Sequence, residues 1–160
     1  MNVRALMNPN VKCAGTDASV ADVILIMEKY DCGTVPIVNA QNKVVGIITD
    51  RDICLALGPR PLPAAGIAVT EVMSKKVYAC SPDEEIPEAL QTMRNKKVRR
   101  LPVIDDKGGL VGILSMDDVV LHAEAGKAET KSELGYGQTV KTLKAIYKRP
   151  GVKRELIAHP

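Results

Sequence analysis

The sequence predicts an α+β fold in which one unit occurs twice and is followed by a helical tail. When the chain is shifted against itself by 66 residues, residues 7–53 fall on residues 73–119 without a gap. Nine pairs in this register are identical, and many others exchange one aliphatic residue for another, as in Val20/Ile86 and Val35/Leu101, which preserves a core. Each copy has the pattern of a short strand, a helix, a β-hairpin and a second helix, so we predict two β-α-β-β-α units.

The first strand of each unit is expected near Val11 or Val77, and a helix should follow it. Asp17 is a suitable N-cap in the first copy, and Ser81 or Asp83 in the second. Apolar residues then recur at helical spacing, and Pro87 is tolerated in a first helical turn. The residues that define the apolar faces are Val20, Val23, Ile24 and Met27, and Ile86, Ala89, Leu90 and Met93.

Two short β-branched runs around a polar turn predict a hairpin in each unit. They read TVPIV-NAQN-KVVGIIT at 34–49 and RLPVI-DDKGG-GLVGILS in the second copy, where the last two segments share one glycine. The segments DRDICLAL at 50–57 and MDDVVLHAEA at 116–125 are predicted as the closing helices.

The predicted domain limits are 5–58 for the first unit and 71–126 for the second. Residues 59–70 are rich in proline and glycine and should form a connector with little regular structure. The tail, 127–160, begins with a polar segment. The spacing of its later apolar residues predicts a helix over 138–148. Its apolar stripe, which should pack on the chain itself or on a second subunit, is Val140, Leu143, Ile146 and Tyr147.

Composition narrows the class of protein. The chain is 46% hydrophobic but has no apolar run of about 18 residues and no secretory signal at its start, so we expect a cytoplasmic protein without a membrane contact. The cysteines Cys13, Cys32, Cys54 and Cys80 form no CxxC pair, which favours reduced, buried thiols over a metal site. A net charge of +3 and the lack of Phe and Trp argue against nucleic-acid binding.

A hydroxyl residue followed three positions later by aspartate occurs at the same place in both units, as Thr49 with Asp52 and as Ser115 with Asp118. This spacing is typical of a helix capping box, which is a purely structural role. A helix start also offers backbone N–H groups to phosphate, and a carboxylate there can accept hydrogen bonds from ribose hydroxyls. The spacing alone therefore allows either a cap or a nucleotide site.

The two units together resemble a tandem pair of CBS domains, also called a Bateman module. The resemblance covers residues 5–126 and rests on the openings MNPNV and MSKKV, on VPIV and LPVI, and above all on GIITDRDI and GILSMDDV. It implies two β-α-β-β-α units packed with pseudo-twofold symmetry, with clefts between them for adenosine-containing ligands.

The resemblance also assigns roles to residues. Asp52 and Asp118 would bind ribose hydroxyls, and Thr49 and Ser115 would contact phosphate or ribose. The first strand of one unit would wall the cleft of the other unit's aspartate. The residues expected to face the Asp118 cleft are Val11, Ala14 and Thr16, and those expected to face the Asp52 cleft are Val77, Ala79 and Ser81.

Basic residues suggest that the two clefts differ. Arg99 and Arg100 fall in the strand that carries phosphate-binding cations in the family, so stronger phosphate binding is expected beside Asp118. Asp117 would weaken that site, and Arg51, at the equivalent position, could contact phosphate in the Asp52 cleft. A solvated basic edge is the structural alternative for the two arginines.

The residues bear on three function classes: an enzyme, a nucleic-acid binder and a regulatory module. Catalysis by the paired acids lacks a nucleophile with a base beside it, and the cations of the tail accompany no recognition motif for nucleic acid. The expected function is a regulatory adenine-nucleotide sensor that modulates an unidentified partner protein and forms a homodimer. AMP is placed first as ligand, with ADP, ATP, NAD and S-adenosylmethionine as alternatives. An interaction scaffold without a ligand is the competing interpretation.

Overall fold

The computed structural model describes residues 1–58, 63–125 and 134–148 of the chain. The first unit forms a three-stranded sheet in the order β1-β2-β3, with β1 parallel and β3 antiparallel to β2. Two helices accompany this sheet. The elements are β1 Ala14–Gly15, α1 Val20–Tyr30, β2 Thr34–Val38, β3 Val44–Thr49 and α2 Asp50–Leu57.

The second unit repeats this arrangement around a two-stranded antiparallel sheet. Its elements are α4 Ile86–Lys96, β4 Arg100–Ile104, β5 Leu110–Ser115 and α5 Met116–His122. A strand equivalent to β1 is reduced to one parallel bridge between Cys80 and Val103. These two residues are the repeat counterparts of Ala14 and Ile37, which pair in the first unit. The predicted α+β fold with two β-α-β-β-α units is thus confirmed.

Several predicted boundaries are wrong in detail. The N-cap of α1 is Ser19 rather than Asp17, because Ser19 forms a capping box with Asp22. The N-cap of α4 is Glu85. Neither Ser81 nor Asp83 caps that helix, because the two side chains are engaged in the preceding turn and in an ion pair. Ser81 Oγ accepts the Asp83 N–H, and Asp83 pairs with Arg4 at 3.0 Å.

Other boundaries shift by a few residues. The first strand lies at Ala14–Gly15 rather than near Val11, and α5 ends at His122, three residues before the predicted end of the segment. Pro87 lies in the first turn of α4, as predicted. Within the predicted connector, residues 59–62 lie outside the described residues, and a 3-10 turn follows at Ala64–Gly66. The short helix α3, Val69–Val72, begins at the end of the connector.

The segment that precedes each unit in the chain packs into the core of the other unit. Val3 and Leu6, from the start of the chain, join the core of the second unit. Ile67 and Val69, which precede the second unit, join the core of the first. Backbone hydrogen bonds fix both segments, for example Val3 N–H to the Glu84 carbonyl at 2.9 Å. The two units are therefore bound together by an exchange of segments.

The exchange explains the glycine that precedes each capping box by three residues. Met7 lies against Gly112, and a methyl group added there would be 2.9 Å from Met7 Sδ and 3.0 Å from the Asn8 carbonyl oxygen. Met73 lies against Gly46 in the same way in the first unit. Because any side chain would push the exchanged segment off the sheet, both positions require the close backbone approach that glycine allows.

Beyond the repeat, helix α6 spans Tyr136–Tyr147, close to the predicted helix at 138–148. It packs on α4 and α5 of the second unit. Leu143 and Ile146 contact the core of that unit, whereas Val140 and Tyr147 are 46% and 57% exposed. Two of the four predicted stripe residues therefore pack on the chain itself. The buried face is instead extended by two polar residues, Thr139 and Thr142.

We expect Gly112→Ala to destabilise the protein by about 1–3 kcal/mol, because the added methyl group overpacks the contact with Met7 and Asn8. Urea denaturation of the full chain would measure the loss. The matched control is Gly58→Ala at the end of α2, where the nearest atom to an added methyl group is 3.5 Å away. Equal stabilities of the two variants would contradict the proposed reason for the glycine.

Candidate functional site

Each predicted hydroxyl–aspartate pair forms a complete capping box. At the start of α2, the Thr49 hydroxyl and backbone N–H donate to Asp52 Oδ2 at 2.7 and 2.9 Å. At the start of α5, the Ser115 hydroxyl and N–H donate to Asp118 Oδ2 at 2.6 and 2.8 Å. Both boxes are closed by the aspartate N–H, which donates to the hydroxyl oxygen at 3.2 Å. Asp52 and Asp118 therefore both have the helix-capping role that their spacing allowed.

A third capping box shows what a cap looks like outside the clefts. At the start of α1, the Ser19 N–H and hydroxyl donate to Asp22 Oδ2 at 2.8 and 2.7 Å. The Ser19 hydroxyl, followed by its backbone N–H, lowers the pKa of Asp22. Asp22 lines neither of the two clefts described below. This box is thus a structural twin of the one at Asp118 and offers an internal comparison.

The Asp118 capping box faces a cavity of about 450 Å³ between the units, within the range of small-ligand sites. One wall is formed by Ser115, Asp118 and Ile113 of the second unit. Most of the remaining lining comes from residues 8, 10–12, 30–32 and 34, of which Asn8 pairs with Ile113 through two backbone hydrogen bonds. The arrangement brings the carboxylate of one unit to face the chain just before the first strand of the other.

A second cavity of about 480 Å³ adjoins the Asp52 capping box. Thr49 and Arg51 line one side of it, while residues 97–100 line the other. Asp52 is half-buried within the box, as Asp118 is in its own, but it is not among the residues that line this cavity. The end of helix α6 also contributes, through Ile146 and Tyr147.

The two clefts carry different charges. The Asp118 cleft is lined by two cations and three carboxylates, and one of those cations, Arg100, lies 3.7 Å from Asp117. The lining of the Asp52 cleft contains four cations and one carboxylate. Those charged residues are Lys12, Arg100, Asp31, Asp117 and Asp118 in the first cleft, and Arg51, Lys97, Arg99, Arg100 and Asp50 in the second.

The structure brings only part of the predicted residue set into the clefts. Val11 lines the Asp118 cleft, but Ala14 is buried in the sheet and Thr16 is exposed outside the cavity. Arg100 borders both clefts, and Arg99 lines the Asp52 cleft, not the Asp118 cleft where the sequence analysis placed it. The residues expected in the Asp52 cleft that line neither cavity are Val77, Ala79 and Ser81.

Sequence reasoning missed several residues that line the clefts, among them two tyrosines and Lys97. Tyr30 lines the Asp118 cleft, and the Lys12 ammonium lies 4.7 Å from its ring centre. Tyr147 and Lys97 line the other cleft. Lys97 could have been identified from the repeat, because it is equivalent to Asp31. Asp31 lines the Asp118 cleft, and Lys97 lines the Asp52 cleft. The position of Tyr147 could not be inferred from the repeat, since α6 lies outside it.

The cysteines differ in environment. All four are free thiols, but only Cys80 is buried, so the expectation of buried thiols is wrong for the exposed Cys54. Burial, with a smaller contribution from Glu84, raises the pKa of Cys80 to about 12. Among residues 1–58, 63–125 and 134–148, no three His, Cys, Asp or Glu side chains are placed to hold a metal ion.

No helix within the described part of the chain combines the length and apolar character needed to span a bilayer.

Comparison with known proteins places both units in one sequence family. The family description of the CBS domain matches residues 3–58 and 69–124. Inosine-5'-monophosphate dehydrogenase of Methanocaldococcus jannaschii is 36% identical over 104 residues, which cover 65% of this chain and 20% of that enzyme. Hypoxic response protein 1 of Mycobacterium tuberculosis is 33% identical over 122 residues, which cover 74% of this chain and 82% of that protein. For the first three curated relatives, the match spans 52%, 20% and 63% of their lengths.

Several solved structures share the fold, including the following two. Hypoxic Response Protein I, solved with two coordinated zinc ions, has a TM-score of 0.70 and 29% identity, covering 78% of this chain and all of that one. The CBS domain pair of protein MJ0100 was solved with 5'-methylthioadenosine and S-adenosyl-L-methionine. It has a TM-score of 0.68 and 26% identity, covering 76% of this chain and 94% of the other.

We expect Cys54 to react with iodoacetamide at pH 8 while Cys80 stays unmodified until the protein unfolds. The exposed thiol is accessible, whereas the raised pKa and burial of Cys80 keep it protonated and shielded. Mass spectrometry of peptides from native and urea-unfolded protein would locate the label. Rapid native labelling of Cys80 would contradict its placement in the core.

Proposed function

The chain belongs to the CBS-domain family, and we propose that it is a regulatory module that binds an adenosine-containing ligand in the Asp118 cleft and thereby modulates a partner protein. The observation that carries this proposal is the Asp118 carboxylate. Its capping box uses Oδ2 for both hydrogen bonds from Ser115. Because the box fixes the side chain, Oδ1 is available to accept a hydrogen bond at the edge of the cavity.

Ribose recognition fits this geometry. Because the capping box already orients the carboxylate, little side-chain freedom is lost when it accepts hydrogen bonds from vicinal hydroxyls. The lining contributed by residues 10–12, 30–32 and 34 supplies a surface for a base. Protein MJ0100, with the same fold, was solved with two adenosine derivatives, which supports this class of ligand for the present chain.

The charge of the Asp118 cleft favours a ligand with few phosphates. Its carboxylates outnumber its cations, and Arg100 is partly neutralised by Asp117. AMP therefore remains the first candidate, since a single phosphate can be met by one guanidinium. NAD and S-adenosylmethionine also fit the ribose site, and ATP and ADP carry more negative charge than this cleft compensates.

The position of the cleft suggests how a ligand would act. Asn8–Lys12 connect the exchanged N-terminal segment to the first unit, whereas Ser115 and Asp118 belong to the second unit. A ligand that contacts both sides stabilises the arrangement of units that it binds best, and so shifts their population. The regulatory output would come from the partner, and we propose no reaction catalysed by this chain.

We further propose that a second copy of the chain covers the helices of the first unit. Leu25 on α1 and Leu55 on α2 are 60% and 62% exposed. In the second unit, α6 already packs on the equivalent helix α4. Pairing of the face that carries Leu25 and Leu55 with itself would form an isologous dimer.

We expect Asp118→Ala to abolish the thermal stabilisation that AMP gives the wild-type protein, because the ribose contact to a charged acceptor contributes about 1.5–3 kcal/mol. The control is Asp22→Ala, which removes a capping box of the same geometry outside the clefts. Both variants lose the carboxylate of a capping box, but only Asp118→Ala should lose the ligand response. If AMP and the other four candidates stabilise neither the wild type nor Asp22→Ala, the aspartates act as caps and the module is a scaffold.

We expect Leu25→Glu combined with Leu55→Glu to convert a dimer to a monomer, because two buried charges would oppose association. Light scattering after size-exclusion chromatography would measure the mass. Leu121→Glu is the control, since Leu121 is exposed on α5, at the repeat position of Leu55 in the other unit. A monomeric wild type would contradict the proposed dimer.

A further inference from the structure

Helices α5 and α6 present an exposed apolar surface on the second unit. Within the described part of the chain, nine large hydrophobic side chains are exposed, and five of them lie on these two helices. The five residues are Val120 and Leu121 on α5, and Tyr136, Val140 and Tyr147 on α6, with exposed fractions between 46% and 81%. Such a concentration of exposed apolar residues is typical of an interaction site.

Four of these residues form one strip. Along α6, Tyr136, Val140 and Tyr147 are spaced four and seven residues apart, which places their side chains on the same side of the helix. The three residues span about 16 Å of the helix axis. Val120 of α5 continues the strip, because it lines the same small cavity as Tyr147. We call these four residues the α5–α6 surface.

A cavity opens at the point where the α5–α6 surface crosses from one helix to the other. Its volume is about 50 Å³, and its apolar lining comes from Met116 and Val120 of α5 and from Leu143 and Tyr147 of α6. A single water molecule needs roughly 10–15 Å³, so this cavity can receive the end of an apolar side chain. The surface is therefore concave at this end.

The two helices are fixed on the second unit before any partner binds. Thr142 of α6 is fully buried, and its hydroxyl oxygen accepts a hydrogen bond from the Arg94 guanidinium of α4 at 3.0 Å. The Glu124 N–H, just after α5, donates to the carbonyl of Leu134, just before α6, at 3.0 Å. Because a preformed surface loses little conformational entropy on binding, the α5–α6 surface can bind a partner without rearrangement.

The charges around the α5–α6 surface are mostly positive. Helix α6 contains no aspartate or glutamate, and its exposed charges are Lys141 and Lys144. Among the described residues, neither lysine forms an ion pair. Arg99 and Arg100 line the cavity together with Asp117, which lies 3.7 Å from Arg100. A partner with carboxylates beside its apolar residues is therefore complementary in charge to this surface.

We propose that the α5–α6 surface docks an acidic amphipathic helix of a partner protein. The apolar side of that helix covers the strip and fills the cavity, and its carboxylates lie near Lys144 and Arg99. A helix fits because a straight apolar strip of about three turns matches the periodic apolar residues of another helix. This inference deepens the proposed function by naming the surface that contacts the regulated partner, and it rests on that function for the existence of such a partner.

The α5–α6 surface adjoins the junction between the two units. Tyr147 and Arg99 line both the small cavity and the Asp52 cleft, whose lining also includes Thr49 and Arg51 of the first unit. A helix docked here contacts residues whose surroundings depend on the arrangement of the units. Its affinity is therefore coupled to any ligand that changes this arrangement, and the coupling is reciprocal.

Three other occupants match the surface less well. Pairing of the surface with its copy in a second chain would bring Lys141 and Lys144 close to the same lysines of the other copy, and like charges oppose association. A lipid bilayer is flat and leaves the cavity unfilled, while the side of α6 that carries Leu143 and Ile146 is already packed on the second unit. A nucleic acid matches the cations but leaves the apolar strip uncovered.

The test is fluorescence anisotropy of the full chain with two labelled peptides of about 18 residues, a length at which a helix can form in water. One peptide is built from Leu, Ala and Glu with its leucines on one helical face, and the other has Lys in place of Glu. We expect saturable, sub-millimolar binding of the acidic peptide and no binding of the basic peptide. Val120→Glu and Lys144→Glu should each weaken binding of the acidic peptide by about tenfold or more, because a like charge then faces its carboxylates.

Each variant has a matched control. Leu121→Glu introduces the same charge one residue from Val120, at a position that does not line the cavity, and Lys29→Glu reverses an exposed cation on α1 of the first unit. Thermal unfolding shows that each variant is folded at the assay temperature. Both controls should bind the acidic peptide within about twofold of the wild type, since salt screens distant surface charges. Failure of the acidic peptide to saturate, or equal affinities of Val120→Glu and Leu121→Glu, would overturn the docking surface.

The other occupants are tested beside the peptides. Sedimentation with phosphatidylserine vesicles tests a membrane, anisotropy with a labelled DNA duplex tests a nucleic acid, and light scattering of Val120→Glu tests a second copy. We expect no binding of vesicles or duplex and the same mass for Val120→Glu as for the wild type. Binding of either that is lost in Val120→Glu, or a smaller mass of that variant, would assign the surface to another occupant and overturn the proposal.

The peptide titrations contain no nucleotide, so this inference and the proposed function can fail separately. Asp118→Ala, which should lose the response to AMP, should bind the acidic peptide as the wild type does. If AMP stabilises the wild type and the acidic peptide does not bind, the docking surface is wrong and ligand binding stands. If the peptide binds and no adenosine ligand does, the docking surface stands without the ligand-sensing function.

Discussion

The close contact between an exchanged methionine and a glycine in the opposing sheet is the constraint on which the rest of the structure depends. Met7 lies on Gly112, and Met73 lies on Gly46. Through these contacts, the segment that begins each unit packs into the core of the other unit. Neither core is complete without the partner unit's segment, so the two units cannot separate without exposing apolar surface. The clefts exist because this exchange fixes the two units side by side.

The repeat preserves the frame of the clefts while their charges differ. Both units keep the glycine, the hydroxyl and the aspartate, whose roles are a close backbone approach and a capping box. The residues around that frame vary between the copies, and several exchanges reverse or add charge. Among them are Asp31 for Lys97, Arg51 for Asp117, Gly33 for Arg99 and Thr34 for Arg100. The two clefts therefore carry different charges around the same capping-box frame.

Much of the fold could be predicted because its signals are local. The hairpin strands at 34–38 and 100–104 are bounded as expected, since β-branched runs are followed by polar turns. The N-cap of α1 was misplaced because Asp17 is a good cap by type, while the Ser19-x-x-Asp22 box satisfies two backbone groups instead of one. The segment exchange could not be predicted, because apolar spacing shows that Val3 or Ile67 is buried but not in which core.

The candidate site was predictable only in part for the same reason. The capping-box residues were found from spacing, and Val11 from the family resemblance, but Arg99 precedes β4 instead of lying in the strand, and it lines the Asp52 cleft. Tyr147 belongs to a helix whose docking partner the sequence does not reveal. Residues that the repeat duplicates were thus easier to place than residues that distinguish the copies.

The most direct test of the central claim is a crystal structure of the full chain grown with AMP. We predict density for one nucleotide in the Asp118 cleft, with the ribose hydroxyls on Asp118 Oδ1 and the base against residues 8–12 of the first unit. An Asp118 cleft that stays empty at saturating AMP, with Asp118 bonded only within its capping box, would contradict the account.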